Sequence, residues 1–287
     1  MINKCLFPAA GYGTRFLPAT KAVPKEMLPI LTKPLLQYGV EEALSAGITN
    51  MAIVTGRGKR SIEDHFDNSL ELESQLSGTS KEYYLDEIKE VIDKATFTYV
   101  RQHKMLGLGH AILTGEPLIG NEPFAVILAD DFFDCSGDGV ISQLTKIYKK
   151  YHCSIIAIEE IPFTQVEKYG IISGDLIDGT NNTYRVTDML EKPQSNDLKD
   201  FVKNTVNPNK ESDFMAIAGR YILTPDIFDI LKKSKPGKNG ELQITDALKT
   251  QAKSGKVIAY KYKGNRFDCG SIEGYVKATI SLAKQRN

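Results

Sequence analysis

Glycines and cations are concentrated in one short segment near the start of the chain, residues 6–29 (LFPAAGYGTRFLPATKAVPKEMLP). The segment begins as an apolar strand and becomes a loop in which Gly11 and Gly13 free the backbone to approach a ligand closely. Backbone N–H groups in such a loop can form a nest for anionic oxygens, and nearby cations can neutralise charge that builds on them during displacement at phosphorus. Three cations follow the glycines: Arg15, Lys21 and Lys25. Although two glycines after a strand are also typical of an ordinary tight turn, the whole segment predicts a polyphosphate site.

Two adjacent carboxylates, Asp130 and Asp131, follow the fully apolar run Phe124–Ala129. Such a run is typical of a buried parallel strand, and open α/β sheets bind their ligands at the carboxyl ends of their strands. Mg²⁺ prefers oxygen ligands and is usually held by one or two carboxylates together with substrate phosphates and water. This context favours a magnesium position over the solvated turn that an Asp-Asp pair indicates by itself.

The sequence lacks the motifs of several familiar kinds of nucleotide-binding, metal and catalytic site. A dinucleotide fingerprint requires a third glycine where this chain has Phe16, and the P-loop pattern G-x-x-x-x-G-K-[ST] does not occur. His103 and His110 have no second metal ligand at a suitable spacing, so we expect them to be structural or exposed to solvent. The motifs offer cations and glycines, but no Ser-His-Asp or Cys-His arrangement.

Two further blocks carry groups suited to a nucleobase and to a sugar phosphate. Within residues 101–111, the amide of Gln102 can both donate to and accept from a pyrimidine edge, while glycines let the base lie against the main chain. The alternative is a polar loop that caps a helix starting near Leu108. In a Glu-Lys-Pro block, Glu191 can accept hydrogen bonds from sugar hydroxyls and Lys192 supplies a point charge for a phosphate. Alone, that block is also common on protein surfaces.

These motifs together resemble those of the sugar-nucleotide pyrophosphorylases. The resemblance begins in residues 6–29 and continues in ordered blocks to Gly270, so it covers most of the chain. Within that family, the extension PATKAVPKEMLP is similar to the bacterial UTP–glucose-1-phosphate uridylyltransferases. The related thymidylyltransferases usually carry Lys-Gln where this sequence reads Lys25-Glu26.

The resemblance implies a role for residues in every block. It assigns catalysis to three cations: Arg15, Lys25 and Lys192. It assigns the binding of glucose to Gly170 and Glu191, and the binding of the sugar phosphate to Lys192. Asp130 matches the family's metal ligand and Asp268 the second acidic position of related enzymes, without showing whether Asp268 touches the metal directly. The expected nucleotide-binding residues are Ala9, Ala10, Gly11, Gly13, Thr14, Glu26, Gln102 and Gly107, the last two of which would contact the uracil ring.

The implied reaction is a Mg²⁺-dependent in-line displacement without a covalent intermediate. A phosphate oxygen of glucose 1-phosphate attacks the α-phosphorus of UTP, pyrophosphate leaves, and UDP-glucose forms. Two alternatives stay open: a thymidylyltransferase that makes dTDP-glucose, and a non-catalytic regulatory relative that binds nucleotide or sugar. Such relatives tend to lose the Thr-Arg of the phosphate loop, whereas this chain keeps Thr14 and Arg15.

The elements that must position these residues alternate between apolar β-branched runs and amphipathic helical runs, which is typical of parallel strands joined by crossover helices. We therefore expect an α/β fold, with a Rossmann-like mixed and mainly parallel central sheet flanked by helices, of the nucleotide-diphospho-sugar transferase type. A smaller mixed region in the second half is expected to pack on the first sheet. The predicted strands cover residues 2–7, 51–55, 97–100, 124–129, 154–158, 170–173, 183–190, 214–223 and 257–262.

Helices are predicted between the strands, with Pro34 opening the first and Gly47 closing it. The Glu-, Lys- and Leu-rich stretch 68–93 predicts a helical excursion at the surface. Further helices are expected over residues 140–151, 225–233 and 243–253. A last helix, 272–284, would pack on its own domain or on a partner subunit. No repeat or linker divides the chain, so we expect one domain, with a nucleotide-binding half of about 1–135 and a sugar-binding and assembly half of about 136–287.

Composition limits the classes of partner. The 36 basic and 36 acidic side chains give a formal net charge of +0, so there is no general attraction to nucleic acid or to an anionic membrane. No apolar stretch reaches the roughly 20 residues of a spanning helix, and the start of the chain lacks the order of a secretory signal. The four cysteines are far apart and are expected to be reduced thiols. We therefore expect a cytoplasmic homo-oligomer, dimer or tetramer, whose ligands are small molecules.

Overall fold

A central β-sheet organises the chain. The computed structural model describes residues 1–194, 197–198, 201, 214–237 and 240–286. The strands are β1 (Lys4–Pro8), β2 (Pro29–Ile30), β3 (Lys33–Pro34), β4 (Asn50–Thr55), β5 (Thr96–Arg101), β6 (Phe124–Ile127), β7 (Asp131–Asp134), β8 (Ser154–Ile161), β9 (Gly170–Leu176), β10 (Thr183–Glu191), β11 (Phe214–Leu223), β12 (Val257–Lys261) and β13 (Asn265–Asp268).

Helices connect these strands. Three short 3₁₀ turns, Thr14–Phe16, Ala19–Lys21 and Lys25–Met27, follow β1. The α-helices are α1 (Leu35–Ser45), α2 (Arg60–His65), α3 (Leu70–Leu76), α4 (Asp86–Lys94), α5 (Leu108–Thr114), α6 (Glu116–Ile119), α7 (Val140–Tyr151), α8 (Asp226–Lys233), α9 (Ile244–Ala252) and α10 (Ile272–Arg286).

Nine strands form the main sheet in the order β5-β4-β1-β6-β11-β8-β12-β10-β9. Of the described strands in this sheet, β10 and β11 run against the direction of the other seven. The predicted fold class, a mixed and mainly parallel sheet flanked by helices, is confirmed.

The smaller mixed region in the second half is present, but it does not pack on the first sheet as we expected. Its strands continue the same sheet, because β11 pairs with β6 on one side and with β8 on the other. When a strand has partners on both sides and both of its faces are buried, its sequence is a nearly continuous apolar run, as in Phe214–Leu223.

Apolar side chains of alternating strand positions fill two layers, one on each face of the sheet. In β1, Leu6 belongs to one layer, whereas Cys5 and Phe7 belong to the other. Helices α5, α8 and α9 cover the first layer, and α1 and α7 cover the second. Both faces are therefore buried, which explains why the parallel strands appear in the sequence as continuous apolar runs.

Most predicted elements are present, with ends shifted by a few residues. The helical excursion is confirmed: α3, a 3₁₀ turn at Glu82–Leu85 and α4 occupy it. The sequence did not predict the two small antiparallel pairs, β2 with β3 and β7 with β13. Strands of two to four residues carry no periodic pattern that separates them from loops.

The last helix packs on its own chain with one face. Ala278, Tyr275 and Leu282 lie in an apolar cluster with Ile30 and Phe132. The opposite face leaves three apolar side chains exposed: Ile272, Val276 and Ile280. Packing on the same domain is confirmed, and the homo-oligomer stays a prediction.

Two further expectations concern the whole chain. The four cysteines are free, as predicted. Across the described ranges, none of the helices has the length and apolar character needed to cross a membrane.

Candidate active site

The predicted nucleotide and metal residues lie at one edge of the sheet. Four neighbouring parallel strands, β5, β4, β1 and β6, end there. The loop after β1 holds residues 9–14, Asp130 comes three residues after β6, and Gln102 directly follows β5. This is the position at which open α/β sheets bind ligands.

The glycine loop is held in one conformation by its neighbours. Ala9 N donates to Val54 O of β4 at 2.8 Å, which fixes the start of the loop. Gly13 has φ +67°, and a Cβ there would lie 2.9 Å from Lys25 Cβ, so only glycine suits both the backbone and the contact. Ala9 and Ala10 are buried, whereas Gly11 and Thr14 are exposed. A ligand can therefore reach the main chain of this loop.

Lys25 links the glycine loop to the metal candidate Asp130. Its Nζ lies 2.6 Å from Asp130 Oδ2, and its Cε passes 3.9 Å from the Cβ position of Gly11. Burial opposes both charges, but the attraction between them prevails: it raises the pKa of Lys25 and lowers that of Asp130 to about 2. Both groups are charged at neutral pH. Lys21, in contrast, is exposed.

The pairing of β7 with β13 brings the second carboxylate to the same place. In this pair Asp268 lies opposite Asp131, so it sits next to Asp130 despite the long separation in sequence. A Cβ on Gly270 would lie 3.0 Å from both Asp130 Oδ2 and Asp268 Oδ1. The two carboxylate oxygens therefore face one small space that a side chain at position 270 would fill.

Arg15 closes the same space from the nucleotide side. Its Nη1 donates to Gly270 O at 2.9 Å and would lie 3.3 Å from a Cβ on that glycine. The structure thus brings together three predicted site residues that are distant in sequence: Arg15, Asp130 and Asp268. Two carboxylates and two cations around one gap suit a phosphate ligand bound together with a divalent cation.

The donor set fits a divalent metal ion that is shared with a substrate. Asp130 and Asp268 offer hard oxygen ligands on one space. Among the described residues, no group of three or more His, Cys, Asp or Glu side chains could hold a metal. Further ligands would have to come from phosphate oxygens and water, which is how Mg²⁺ is usually bound beside nucleotides.

Gln102 is buried and held in place at the end of β5. Its backbone N donates to Thr55 O at 2.9 Å, and its Nε2 lies 2.8 Å from His110 Nδ1 and 3.4 Å from Gly107 O. Burial lowers the pKa of His110, so the ring is neutral at pH 7 and can accept through Nδ1. His110 is thus structural, as expected, and His103 is exposed. The helix expected near Leu108 starts at that residue.

The glycines of this loop serve a contact that we did not predict. Leu242 N donates to Leu106 O at 2.7 Å, and Gly109 N donates to Leu242 O at 2.8 Å. A Cβ on Gly107, whose φ is +95°, would lie 2.8 Å from Leu242 O. The missing side chain at Gly107 therefore makes room for the backbone of Leu242, and contact of Gly107 with a base stays a prediction.

The sugar candidates Gly170 and Glu191 are partners in the β9–β10 pair. A Cβ on Gly170 would lie 3.0 Å from Glu191 Oε2. Lys192 follows with φ +42°, and its N donates to Tyr169 O at 3.1 Å. Its exposed Nζ lies 3.6 Å from Glu191 Oε1. The backbone turn therefore places a carboxylate and an ammonium side by side.

Tyr169 connects this group to the metal candidates. Its hydroxyl donates to Asp268 Oδ2 at 3.3 Å, and the guanidinium of Arg266 stacks on its ring at 4.7 Å. Since Tyr169 O also accepts from Lys192 N, one residue spans from the sugar candidates to the carboxylates. Tyr169 thus joins the sugar candidates to Asp268 and the space that it shares with Asp130.

Comparison with known proteins gives the family of this site. The family model described as "Nucleotidyl transferase" matches residues 6–285. The chain belongs to the nucleotidyl transferase family. Enzymes of this family generally use a divalent metal ion, which agrees with the two facing carboxylates.

Similar proteins cover the whole nucleotidyl transferase chain. The UTP–glucose-1-phosphate uridylyltransferase of Pseudomonas aeruginosa is 59% identical over 280 residues, which is 97% of this chain and 95% of that protein. A crystal structure of apo UDP-glucose pyrophosphorylase has a TM-score of 0.90 and 57% identity, covering 100% of both chains. A crystal structure of UDP-glucose pyrophosphorylase complexed with UDP-glucose has a TM-score of 0.87 and 55% identity, covering 99% of this chain and 100% of that one.

The nucleotidyl transferase site also contains Lys59, which sequence reasoning missed. Its Nζ lies 2.6 Å from Glu26 Oε2, and both side chains are almost fully buried. Burial raises the pKa of Glu26 and lowers that of Lys59, while the attraction between them opposes both shifts. The structure therefore identifies Lys59 as the partner of Glu26, which the sequence did not reveal. Lys59 comes four residues after β4, at the ligand-binding edge of the sheet. From this position the sequence analysis could have predicted that Lys59 belongs to the site.

Arg220 is a second residue that the sequence analysis missed, and it holds the loop that carries Asp130. This side chain in the middle of β11 is 2% exposed and pairs with Glu42 of α1 at 2.9 Å. It donates to Leu128 O and to Asp131 O, each at 2.9 Å. These two carbonyls flank Asp130, so Arg220 fixes the backbone that presents the metal candidate.

Replacing Arg220 by Met is expected to lower the free energy of unfolding by about 3–5 kcal/mol, because it leaves Glu42 without its cationic partner and removes two hydrogen bonds to carbonyl groups. Urea unfolding of both proteins measures the difference. The matched control is Lys261→Met, which breaks an exposed pair with Glu160 and should cost no more than about 1 kcal/mol. Equal small losses in the two variants would contradict this account of Arg220.

Proposed function

We propose that this chain is a UTP–glucose-1-phosphate uridylyltransferase, which forms UDP-glucose and pyrophosphate from UTP and glucose 1-phosphate. The fold hosts several nucleotides and sugars, so it cannot select the substrates by itself. The observation that carries the proposal is a single site in which the glycine loop, two facing carboxylates and the Glu191–Lys192 pair are joined through Gly270 and Tyr169. The named activity of the Pseudomonas aeruginosa relative supplies the substrates.

In the proposed reaction, a phosphate oxygen of glucose 1-phosphate forms a bond to the α-phosphorus of UTP while the bond from that phosphorus to the bridging oxygen of pyrophosphate breaks. The nucleophile is already an anion, since the second pKa of a phosphate monoester is about 6. No general base is therefore required. This agrees with a site whose predicted groups are cations and carboxylates.

The nucleotide would lie along the ends of β1 and β5. Backbone N–H groups of the glycine loop would bind the triphosphate, and Arg15 and Lys25 would neutralise its charge. The uracil ring would be read by Gln102 and Gly107. The remaining nucleotide-side residues in this proposal are Ala9, Ala10, Gly11, Gly13, Thr14 and Glu26.

The sugar phosphate would occupy the Glu191 side of the site. Glu191 and Gly170 would hold glucose, and Lys192 would hold its phosphate. The position of Lys192, which hydrogen bonds to Tyr169 next to Asp268, supports this placement because the attacking phosphate must reach the same space as the metal candidates. Catalysis would then consist of positioning two anions and neutralising their charge.

We propose Mg²⁺ as the divalent metal, held by Asp130 and Asp268. When bound, it would neutralise charge on the phosphate oxygens and help to orient them. Lys25, which pairs with Asp130 at 2.6 Å, would keep that carboxylate ionised and would itself remain close to the phosphates.

The remaining proposals concern the whole molecule. We propose one domain, with nucleotide-binding and sugar-binding halves of about 1–135 and 136–287, that acts as a homo-oligomer in the cytoplasm. The free cysteines are compatible with such a reducing compartment.

Pyrophosphate release tests the proposed function. The purified protein is incubated with Mg²⁺, glucose 1-phosphate and either UTP or dTTP, with EDTA as the control. We expect EDTA-sensitive turnover that strongly favours UTP. Preference for dTTP would assign the chain to the thymidylyltransferases instead. Binding of UTP without turnover would indicate the regulatory alternative, against which the retained Thr14 and Arg15 argue.

A further inference from the structure

The carboxylate of Glu191 accepts a hydrogen bond from Thr245, a residue outside the predicted site. Thr245 Oγ1 donates to Glu191 Oε2 at 2.6 Å, and Thr245 is 3% exposed. Its position in the first turn of α9 gives the hydroxyl a fixed direction. A short hydrogen bond to an ionised acceptor is among the stronger polar contacts in proteins.

Gly170 packs against both members of this contact. A Cβ on Gly170 would lie 3.0 Å from Glu191 Oε2 and 3.0 Å from Thr245 Oγ1. The bonded pair therefore lies directly against the backbone of β9. This packing restricts how the carboxylate can turn about its last torsion.

Thr245 uses one oxygen of Glu191 and leaves the other for a different partner. Glu191 Oε1 lies 3.6 Å from Lys192 Nζ, which is longer than a direct hydrogen bond. Oε1 can therefore accept from a sugar hydroxyl in the direction that Thr245 sets. Epimers of a hexose differ in the direction of one hydroxyl, so a carboxylate fixed in this way can distinguish them.

The chain segment just before Thr245 is hydrogen-bonded to the loop that contains Gly107, one of the residues expected to contact the uracil ring. Leu242 exchanges two backbone hydrogen bonds with Leu106 and Gly109, at 2.7 and 2.8 Å. Thr245 follows three residues later and is buried. The backbone just before Thr245 is therefore joined by hydrogen bonds to the nucleotide side of the site.

We propose that Thr245 is a positioning residue that orients Glu191 toward glucose and thereby sets the preference among hexose 1-phosphates. The inference rests on the proposed function, because it requires that Glu191 binds the sugar. Thr245 acts through Glu191 and needs no contact with the substrate.

Steady-state kinetics of Thr245→Val and Thr245→Ser test the proposal, since Val keeps the shape without the hydroxyl and Ser keeps the hydroxyl. With Val, KM for glucose 1-phosphate should rise about 10- to 100-fold, the factor that a hydrogen bond to a charged group is worth. The preference for glucose 1-phosphate over galactose 1-phosphate should fall, while KM for UTP stays unchanged. Ser should restore values close to those of the wild type.

Calorimetry separates an effect on the sugar from an effect on the fold. The Val variant should bind UDP as the wild type does and bind UDP-glucose about 10- to 100-fold more weakly. Equal weakening for both ligands would overturn the proposal, because it would place the effect at the nucleotide loop. If the Val variant fails to fold, Thr245→Ala is measured in the same way.

The two proposals can fail separately. A wild-type protein that neither turns over glucose 1-phosphate with UTP nor binds UDP-glucose overturns the proposed function, and this inference with it. An active wild type together with a Val variant of unchanged KM and unchanged sugar preference overturns the inference alone.

Discussion

Asp130→Asn is expected to reduce kcat by about 10²- to 10³-fold, the cost of removing one preorganised electrostatic contact, and to raise the Mg²⁺ concentration needed for half-maximal activity. An amide is a poorer ligand for a hard cation than a carboxylate is. The change also removes the ionic partner of Lys25, which lies 2.6 Å from Asp130 Oδ2. Pyrophosphate release, measured as Mg²⁺ is titrated, reports both effects.

Asp134→Asn is the matched control for this variant. Asp134 is the last residue of β7, the small strand that begins directly after Asp130, and its Oδ2 accepts from Gln285 Nε2 at an exposed position. We expect it to leave both turnover and Mg²⁺ dependence close to the wild type. Unchanged Mg²⁺ dependence in Asp130→Asn would contradict the metal assignment, whatever happened to turnover.

Lys192→Met is expected to lower kcat/KM for glucose 1-phosphate by about 10²-fold or more, because it removes the point charge proposed to bind the sugar phosphate. The side chain is 57% exposed, so its loss should leave the fold intact. KM for UTP should change little, since the triphosphate is assigned to the glycine loop, Arg15 and Lys25. Initial rates with each substrate varied in turn give these parameters.

The control for Lys192 is an exposed lysine at the opposite edge of the sheet. Lys149 lies in the last turn of α7, shortly before β8 begins, whereas the site lies where the parallel strands end. Lys149→Met should have wild-type kinetics. Near-native kinetics in Lys192→Met as well would remove Lys192 from the site.

Some parts of the site could be predicted because one short sequence pattern indicates both a strand and the functional residues that directly follow it. Gly11 and Gly13 follow an apolar strand directly, and Asp130 follows another. Because the carboxyl ends of parallel strands meet at one edge, predicting the strands was enough to place these residues together. The fold class came from the same alternation of strands and helices.

The parts that could not be predicted depend on contacts between distant segments. Asp268 was expected only from the family resemblance, because it reaches Asp130 through the pairing of β7 with β13, and Thr245 reaches Glu191 only because α9 packs beside β10. No spacing in the sequence reports either contact. Glu26 was placed on the nucleotide side, but its partner Lys59 lies in a different loop.

Arg220 is a different case, because the sequence did hold a signal for it. It is the only charged residue in the run Phe214–Leu223, and a charge inside a buried strand must be paired to be tolerated. That rule predicts a buried partner for Arg220, although it does not identify Glu42 or the carbonyl groups beside Asp130.

A crystal structure of the protein with UDP-glucose and Mg²⁺ tests the central claim most directly, namely that one site around Gly270 holds both the nucleotide and the sugar. We predict the uracil ring at Gln102, the glucose within hydrogen-bond distance of Glu191, and the metal ion on Asp130. Glucose bound away from Glu191 and Lys192, or a metal ion that does not contact Asp130, would contradict the account.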